Sequence, residues 1–366
     1  MITSKTSEIK KIFAVPYNGT SELVNRVIDA GLGEHTYEFY GTDGFFASGR
    51  PKCLTILPDK GQFESDINLM AQNNIKFDYL FNSLHVNQYL QDTALLEDRL
   101  KYIRDIGVEV LTVAHPVIAQ FIKSKGFSFE IKSSLNSFVN SVERAKMFIK
   151  SGYDALILDE DELRNIPLLR KIVQKCDVTF EVIVNNLCTR GCIHRFAHQA
   201  VTGNPDIDSN QVVKMQKIVI GKCHAVLHSD LNMLLSSSWI RPEDINQYLD
   251  IGISLFKLTG RLYPTDDILK SLASYAKRAH SGNIFDYLPS RKGGYPLKYG
   301  VLDSKYVEPY FEHIWNEKEC ERDDCPKCQA ISDQIAKFVK KRSGTKLDNW
   351  EQSKIKSNYL PCSGCD

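Results

Sequence analysis

The stretch VEVLTVAHPVIAQFIKSKGFSFEIKSS, residues 108–134, decides the fold. VEVLTVA (108–114) is a β-branched apolar run, HPVIAQFIKSKG (115–126) starts with proline near its first position and stops at glycine, and SFEIKSS (128–134) is a second extended run. Proline near the start and glycine at the end are the usual helix limits. A helix between two strands is the crossover that parallel pairing needs. The unit therefore reads as strand, helix, strand in one parallel sheet.

The same alternation continues in both directions. Upstream lie KIFAVPY (11–17), the helix SELVNRVIDAGL (21–32), HTYEFYG (35–41), FDYLFNSL (77–84) and the helix ALLEDRLKYIRDIG (94–107). Downstream lie the helix SFVNSVERAKMFIKSG (137–152), DALILDE (154–160), the helix ELRNIPLLRKIVQKC (162–176) and VTFEVIVNNL (178–187). After a longer interruption come the helix RPEDINQYLDIG (241–252) and SLFKLTG (254–260). Eight strands in this pattern predict a closed (β/α)8 TIM-type barrel over residues 1–282. An open doubly wound sheet is the rival, disfavoured because no strand leads into a G-x-G-x-x-G turn. From residue 283 the pattern breaks into a loop-like stretch rich in Gly, Pro and Tyr (290–309), one helix over 329–342 and a cysteine-bearing close, so 283–366 reads as a C-terminal extension.

With 46 basic and 45 acidic residues, the net charge of +1 gives no strong nucleic-acid signal and no general attraction to anionic lipid. No run approaches the length of a membrane span, and MITSKTSEIKK lacks a signal core, which predicts a cytoplasmic protein without membrane contact. Ten cysteines in such a compartment favour metal or redox chemistry over disulfides.

Active sites of such barrels lie at the C-terminal strand ends. Cys188-x3-Cys192, followed by Cys223, sits on the loop after the seventh strand and suits zinc or an iron-sulfur cluster, with Cys53 or a tail cysteine as a fourth ligand. Cys320-x4-Cys325-x2-Cys328 with Cys362-x2-Cys365 forms a second set, equally compatible with zinc and with iron and sulfide. Arg190, His194, Arg195 and His198 surround the first pair, and Lys257 and Arg261 end the eighth strand, so an anionic substrate or cofactor is expected there. Glu181, His115 and Lys257 are candidate proton donors or acceptors by position. Asn82 and Asn185 are polar strand-end residues placed to touch substrate.

The strand from Glu181 to Cys188 with its cysteine loop, the segment SSSWIRPEDINQYLDIGISLFKLTGR (236–261) and the Gly282-Asn283 pair resemble peptidase family U-32, the collagenase-like peptidases, over roughly residues 9 to 290. The resemblance implies a (β/α)8 barrel. It also implies oxygen-independent chemistry, since relatives hydroxylate a quinone precursor or a tRNA uridine and some carry a [4Fe-4S] cluster on four cysteines. On it, Glu181 matches the family's strand glutamate, Cys188 and Cys192 its cysteine pair, and Arg50 the arginine after the second strand. Two features depart from the peptidase signature: Asn185-Asn186 stand ahead of Cys188, and only three residues separate the pair.

The expectation is an iron-sulfur enzyme, with one or two [4Fe-4S] clusters or zinc at the C-terminal thiols, that modifies an anionic small molecule or carrier-bound substrate. The alternatives are a metal-dependent peptidase or hydrolase, for which neither H-E-x-x-H nor G-x-S-x-G is present, and a non-catalytic subunit that passes electrons to a hetero-partner.

Overall fold

The structure, a computed structural model, describes residues 11–215, 218, 223, 227, 230–288, 302–316 and 325–343. Eight strands, β1 (Phe13–Pro16), β2 (Thr36–Gly41), β3 (Lys76–Phe81), β4 (Val110–Val113), β5 (Glu130–Ser133), β6 (Ala155–Ile157), β7 (Thr179–Ile183) and β8 (Leu255–Lys257), follow chain order around a closed barrel. Every pair is parallel, and β8 closes on β1 through Phe13 beside Phe256 and Ala14 beside Lys257. The expected (β/α)8 barrel is present.

Both faces of the strands are buried, and apolar side chains fill the outward face that meets the helices. Outward side chains such as Phe39, Phe77, Phe81, Val113, Ile131, Phe180 and Phe256 join one core shared with the surrounding helices. Inward positions follow the two-residue period, and Ala14, Tyr40 and Leu80 form a separate small cluster inside the barrel. Helix starts are set by side chains that satisfy free backbone N–H groups: Asp59 accepts from Gln62, Asp92 from Leu95, Ser141 from Arg144 and Asn165 from Leu168. Gly252 ends the helix Ile245–Ile251 at φ 105°, where a Cβ would meet Val173 at 2.7 Å, so no other residue turns the chain into β8 without strain.

The region after β8 differs from expectation. Residues 290–309 read as loop, yet Ser304–Asn316 is a helix with Pro309 inside it. Its aromatic side chains outweigh the hydrogen bond that proline removes: Phe311 packs 4.6 Å from Trp239 and Trp315 lies 5.1 Å from Tyr248. Ile284, Tyr287, Leu288, Leu302, Val307, Tyr310 and Phe311 all belong to the same core as the barrel helices. The helix Pro326–Ser343 rests on the helix Leu231–Ser236. No described helix is long and apolar enough to cross a membrane.

Candidate functional site

Ordinary barrels of this type fill their interior with branched apolar side chains. Here the inward positions of five strands carry charge. Glu38 on β2, Asp78 on β3, Lys132 on β5, and Glu181 on β7 are wholly buried, and Lys257 on β8 is nearly so. Lys132 Nζ donates to Glu38 Oε1 at 2.5 Å and to Glu181 Oε1 at 3.2 Å. Lys257 Nζ donates to Asp78 Oδ2 at 3.0 Å, lies 3.9 Å from Glu181 Oε2, and sits 3.9 Å from the centre of the Tyr40 ring. Thr112 Oγ1 donates to Asp78 Oδ2 at 2.6 Å.

Three carboxyls face two ammonium groups, so full ionisation would leave one uncompensated buried negative charge. Burial pushes Glu38 up to about 8, against the pull of Lys132, and the neighbouring Asp78 and Glu181 add to the rise. Both lysines are pushed upward because the carboxylates outweigh the burial that opposes their charge. At neutral pH the balanced state keeps a proton on Glu38, whose Oε2 makes no hydrogen bond. A folded-state pKa raised in this way stabilises the fold below the ordinary carboxylate range and loses that contribution as pH rises toward 8. Glu38→Gln should therefore abolish the part of the stability decline that wild type shows between about pH 4.5 and pH 8. Unfolding midpoints measured across that range check this, and parallel declines in the two proteins would refute it.

Above this layer a cavity of about 80 Å³ opens at the C-terminal strand ends, lined among others by Arg50, Asn82, Asn136, Lys257 and Arg261. That is room for several waters or one small polar group. Arg261 is buried, its Nη1 donates to Ser48 Oγ at 3.0 Å, and among the described residues no carboxylate pairs with it. Burial, with the Arg50 charge adding, pulls Arg261 down to about 10 against the opposing pull of Tyr40 and Asp78. Arg50 is placed by its neighbours: Asn82 Oδ1 accepts from Gly49 N at 2.8 Å, and Asn136 Nδ2 donates to Asn82 O at 3.0 Å. The helix Arg195–Thr202 is tied to the same rim, through Ser83 Oγ to Gly203 O at 2.6 Å.

The cysteine loop after β7 adjoins an acidic turn. Asn186 Nδ2 donates to Glu160 Oε2 at 2.5 Å and Gly191 N to Asp161 Oδ1 at 3.2 Å. Burial holds the Cys188 thiol far above its ordinary range, and Glu160, Cys223 and Cys192 each raise it further. Cys192 is raised by burial and then by Cys223. Thr189 Oγ1 lies 3.1 Å from Cys223 Sγ. Burial and neighbouring thiols oppose the ionisation of Cys188 and Cys192, a penalty that a cationic metal group would relieve, but the sulfurs of Cys188, Cys192 and Cys223 do not form a group of three within 4.8 Å of one another. Cys53 is exposed on the turn after β2, and Cys320, Cys362 and Cys365 lie outside the described residues.

The structure thus brings Glu181 and Lys257 into one buried network, and Arg50, Asn82, Lys257 and Arg261 onto one cavity. Other sequence candidates are engaged elsewhere. Arg195 is held by Asp159 at 2.6 Å, Asp161 at 3.2 Å and Glu160 at 3.4 Å, where it props the cysteine loop. Asn185 is buried as a brace between the ends of β7 and β8, donating to Ser271 Oγ and accepting from Thr259 N at 2.6 Å. His115 Nε2 meets Ser83 O at 3.0 Å, and burial lowers its pKa. His194 is exposed at the start of the helix Arg195–Thr202, and His198 is half-buried on it.

Lys132 and Asp78 escaped the sequence reading because they sit in mid-strand rather than at strand ends, although a charge inside FDYLF or EIKS is itself a signal. Arg164 escaped for want of any local signal. Its guanidinium donates to the carbonyls of Leu235, Ser237 (2.8 Å) and Trp239 (3.2 Å) and lies 4.9 Å from the Phe311 ring. The segment so clamped supports the cysteine strand, through Ser238 N to Cys188 O at 3.0 Å and Ile240 N to Val184 O at 2.8 Å.

The family described as Peptidase family U32 matches residues 59–282. An "Uncharacterized protease MJ1657" of Methanocaldococcus jannaschii is 21% identical over 344 residues, covering 90% of this chain and 99% of its own. The solved U32 peptidase Mk0906 superposes with a TM-score of 0.51 at 13% identity, over 70% of this chain and 95% of its own, a likeness of fold. With the family match running over more than half its length, the chain belongs to peptidase family U32.

Proposed function

We propose that this U32 barrel binds an anionic small molecule, or the anionic group of a carrier-bound substrate, at its mouth and modifies it without oxygen beside an iron-sulfur cluster on Cys188, Cys192 and Cys223. The observation that carries the anion is Arg261, a buried guanidinium with no carboxylate partner among the described residues, next to Arg50 and Lys257. Uncompensated buried cations are costly unless a ligand supplies the opposite charge. A bound cluster would supply one-electron chemistry.

In this reading Arg261 and Arg50 hold the anion, Asn82 keeps the Arg50 loop in place, and Lys257 lies between the anion and the buried carboxyls. Glu181 and Glu38 form a proton reserve below it, reached through Lys257 and Lys132. A redox step of this kind draws on an electron donor or partner, and reduced thiols suit a cytoplasmic setting.

Arg261→Gln should weaken binding of small carboxylates or phosphates by about 10- to 100-fold, the value of one charge-assisted hydrogen bond, while the fold is retained. Titration calorimetry with such anions reads this, and unchanged affinity would remove Arg261 from the site. Iron and acid-labile sulfide measured after anaerobic purification test the cluster. Cys188→Ala should lose about four of each, the content of one cluster; a wild type without iron would overturn the redox reading and return the barrel to the peptidase or hydrolase alternative.

A further inference from the structure

His313 stands on the helix Ser304–Asn316, while Cys325 precedes the helix Pro326–Ser343 and Cys328 lies in its first turn. One imidazole nitrogen and the two sulfurs lie within 4.8 Å of one another, the only such group of three potential ligands among the described residues. Cys325 Sγ is 3.7 Å from His313 Nε2. A tetrahedral zinc ion, with Zn–S of about 2.3 Å and Zn–N of about 2.0–2.1 Å, separates its nitrogen and sulfur ligands by about 3.6 Å. The observed spacing matches the one that two ligands on a single ion require.

Counting thiols alone left this region open to zinc or to iron and sulfide. The imidazole changes the donor set. A nitrogen with two thiolates is borderline-soft and suits zinc, whereas a [4Fe-4S] cluster is ordinarily held by thiolates throughout. The site is also placed to act on structure. Tyr310 and Phe311 seat the first helix in the barrel core, and the second helix rests on Leu231–Ser236 with Asn232 Nδ2 donating to Gln329 Oε1 at 2.8 Å. Between this site and the cysteine loop runs a cleft of about 690 Å³, with Cys325 and Cys328 among its lining residues along with Arg190 and Gly191 of the loop.

We propose that His313, Cys325 and Cys328 bind one zinc ion that clasps the helix Pro326–Ser343 onto the aromatic helix Ser304–Asn316, across the cleft from the Cys188–Cys192 loop. The zinc is separate from the cluster of the proposed function, and the two stand or fall independently.

The test is zinc and iron analysis of the full chain, purified without chelators and without oxygen. About one zinc per chain should be lost in His313→Ala and in Cys325→Ser and kept in Cys188→Ala, with iron unchanged by the first two. His313→Cys should keep the zinc on three thiolates. Cobalt exchanged into the wild type needs no variant to fold, and it should show thiolate charge-transfer absorption with the strong visible bands of four-coordinate cobalt. Zinc unaffected by His313→Ala, iron lost instead of zinc in that variant, or six-coordinate cobalt without thiolate absorption would each overturn the proposal.

Discussion

Lys132→Met is expected to destabilise the barrel by about 3–5 kcal/mol, the cost of stripping the partner from a buried charge. Among the described residues Lys132 is the one cation that touches both Glu38 and Glu181, and all three are fully shielded from water. Without it, three carboxyls share Lys257 alone, and the interior must take up protons to remain neutral. The sign with pH follows: removing the cation that opposes its rise drives Glu38 to a still higher pKa, so the loss is smallest in acid and grows as pH rises. Urea unfolding of wild type and variant at several pH values measures this. Lys132→Met combined with Glu38→Met should recover much of the loss, because the pair is then replaced by apolar groups. A single-variant loss under about 1 kcal/mol would mean that the network contributes no more than an exposed ion pair.

Arg164→Ala is expected to cost about 2–4 kcal/mol, combining orphaned carbonyls with the lost contact to Phe311. Three carbonyls that now share one guanidinium would have to find water in a packed segment. The effect should reach beyond stability. Because that segment hydrogen-bonds the strand carrying Cys188, hydrogen exchange at Ser238 and Ile240 should accelerate, and metal bound at Cys188 should leave faster to a competing chelator. A loss of global stability with unchanged exchange at Ser238 would limit Arg164 to packing.

The barrel was legible because parallel strands buried on both faces leave apolar runs and the helices between them carry their own start and stop residues. The helix Ser304–Asn316 was not, since SKYVEPYFEHIWN holds a proline at its middle and its apolar face is explained only by Trp239 and Tyr248, residues more than fifty positions away. Of the site, Glu181, Lys257, Arg50, Asn82 and Arg261 could be placed from strand ends, which is where such barrels expose side chains. Arg195 misled for a physical reason: an arginine near cysteines looks free until the turn Asp159–Asp161, distant in sequence, supplies its carboxylates. His313 was invisible as a ligand because it stands on a separate helix, 12 positions before the Cys325-x2-Cys328 pair it faces.

The charged interior also governs how the molecule assembles. Asp78 belongs to the third strand and meets Lys257 of the eighth across 179 positions of chain. Until the last strand docks, a partly built barrel holds Asp78 and Glu181 with Lys132 as the network's single ammonium group. Closure of the ring thus brings in the second cation of the network, and a nascent chain that ends before Leu255 lacks the ammonium partner of Asp78.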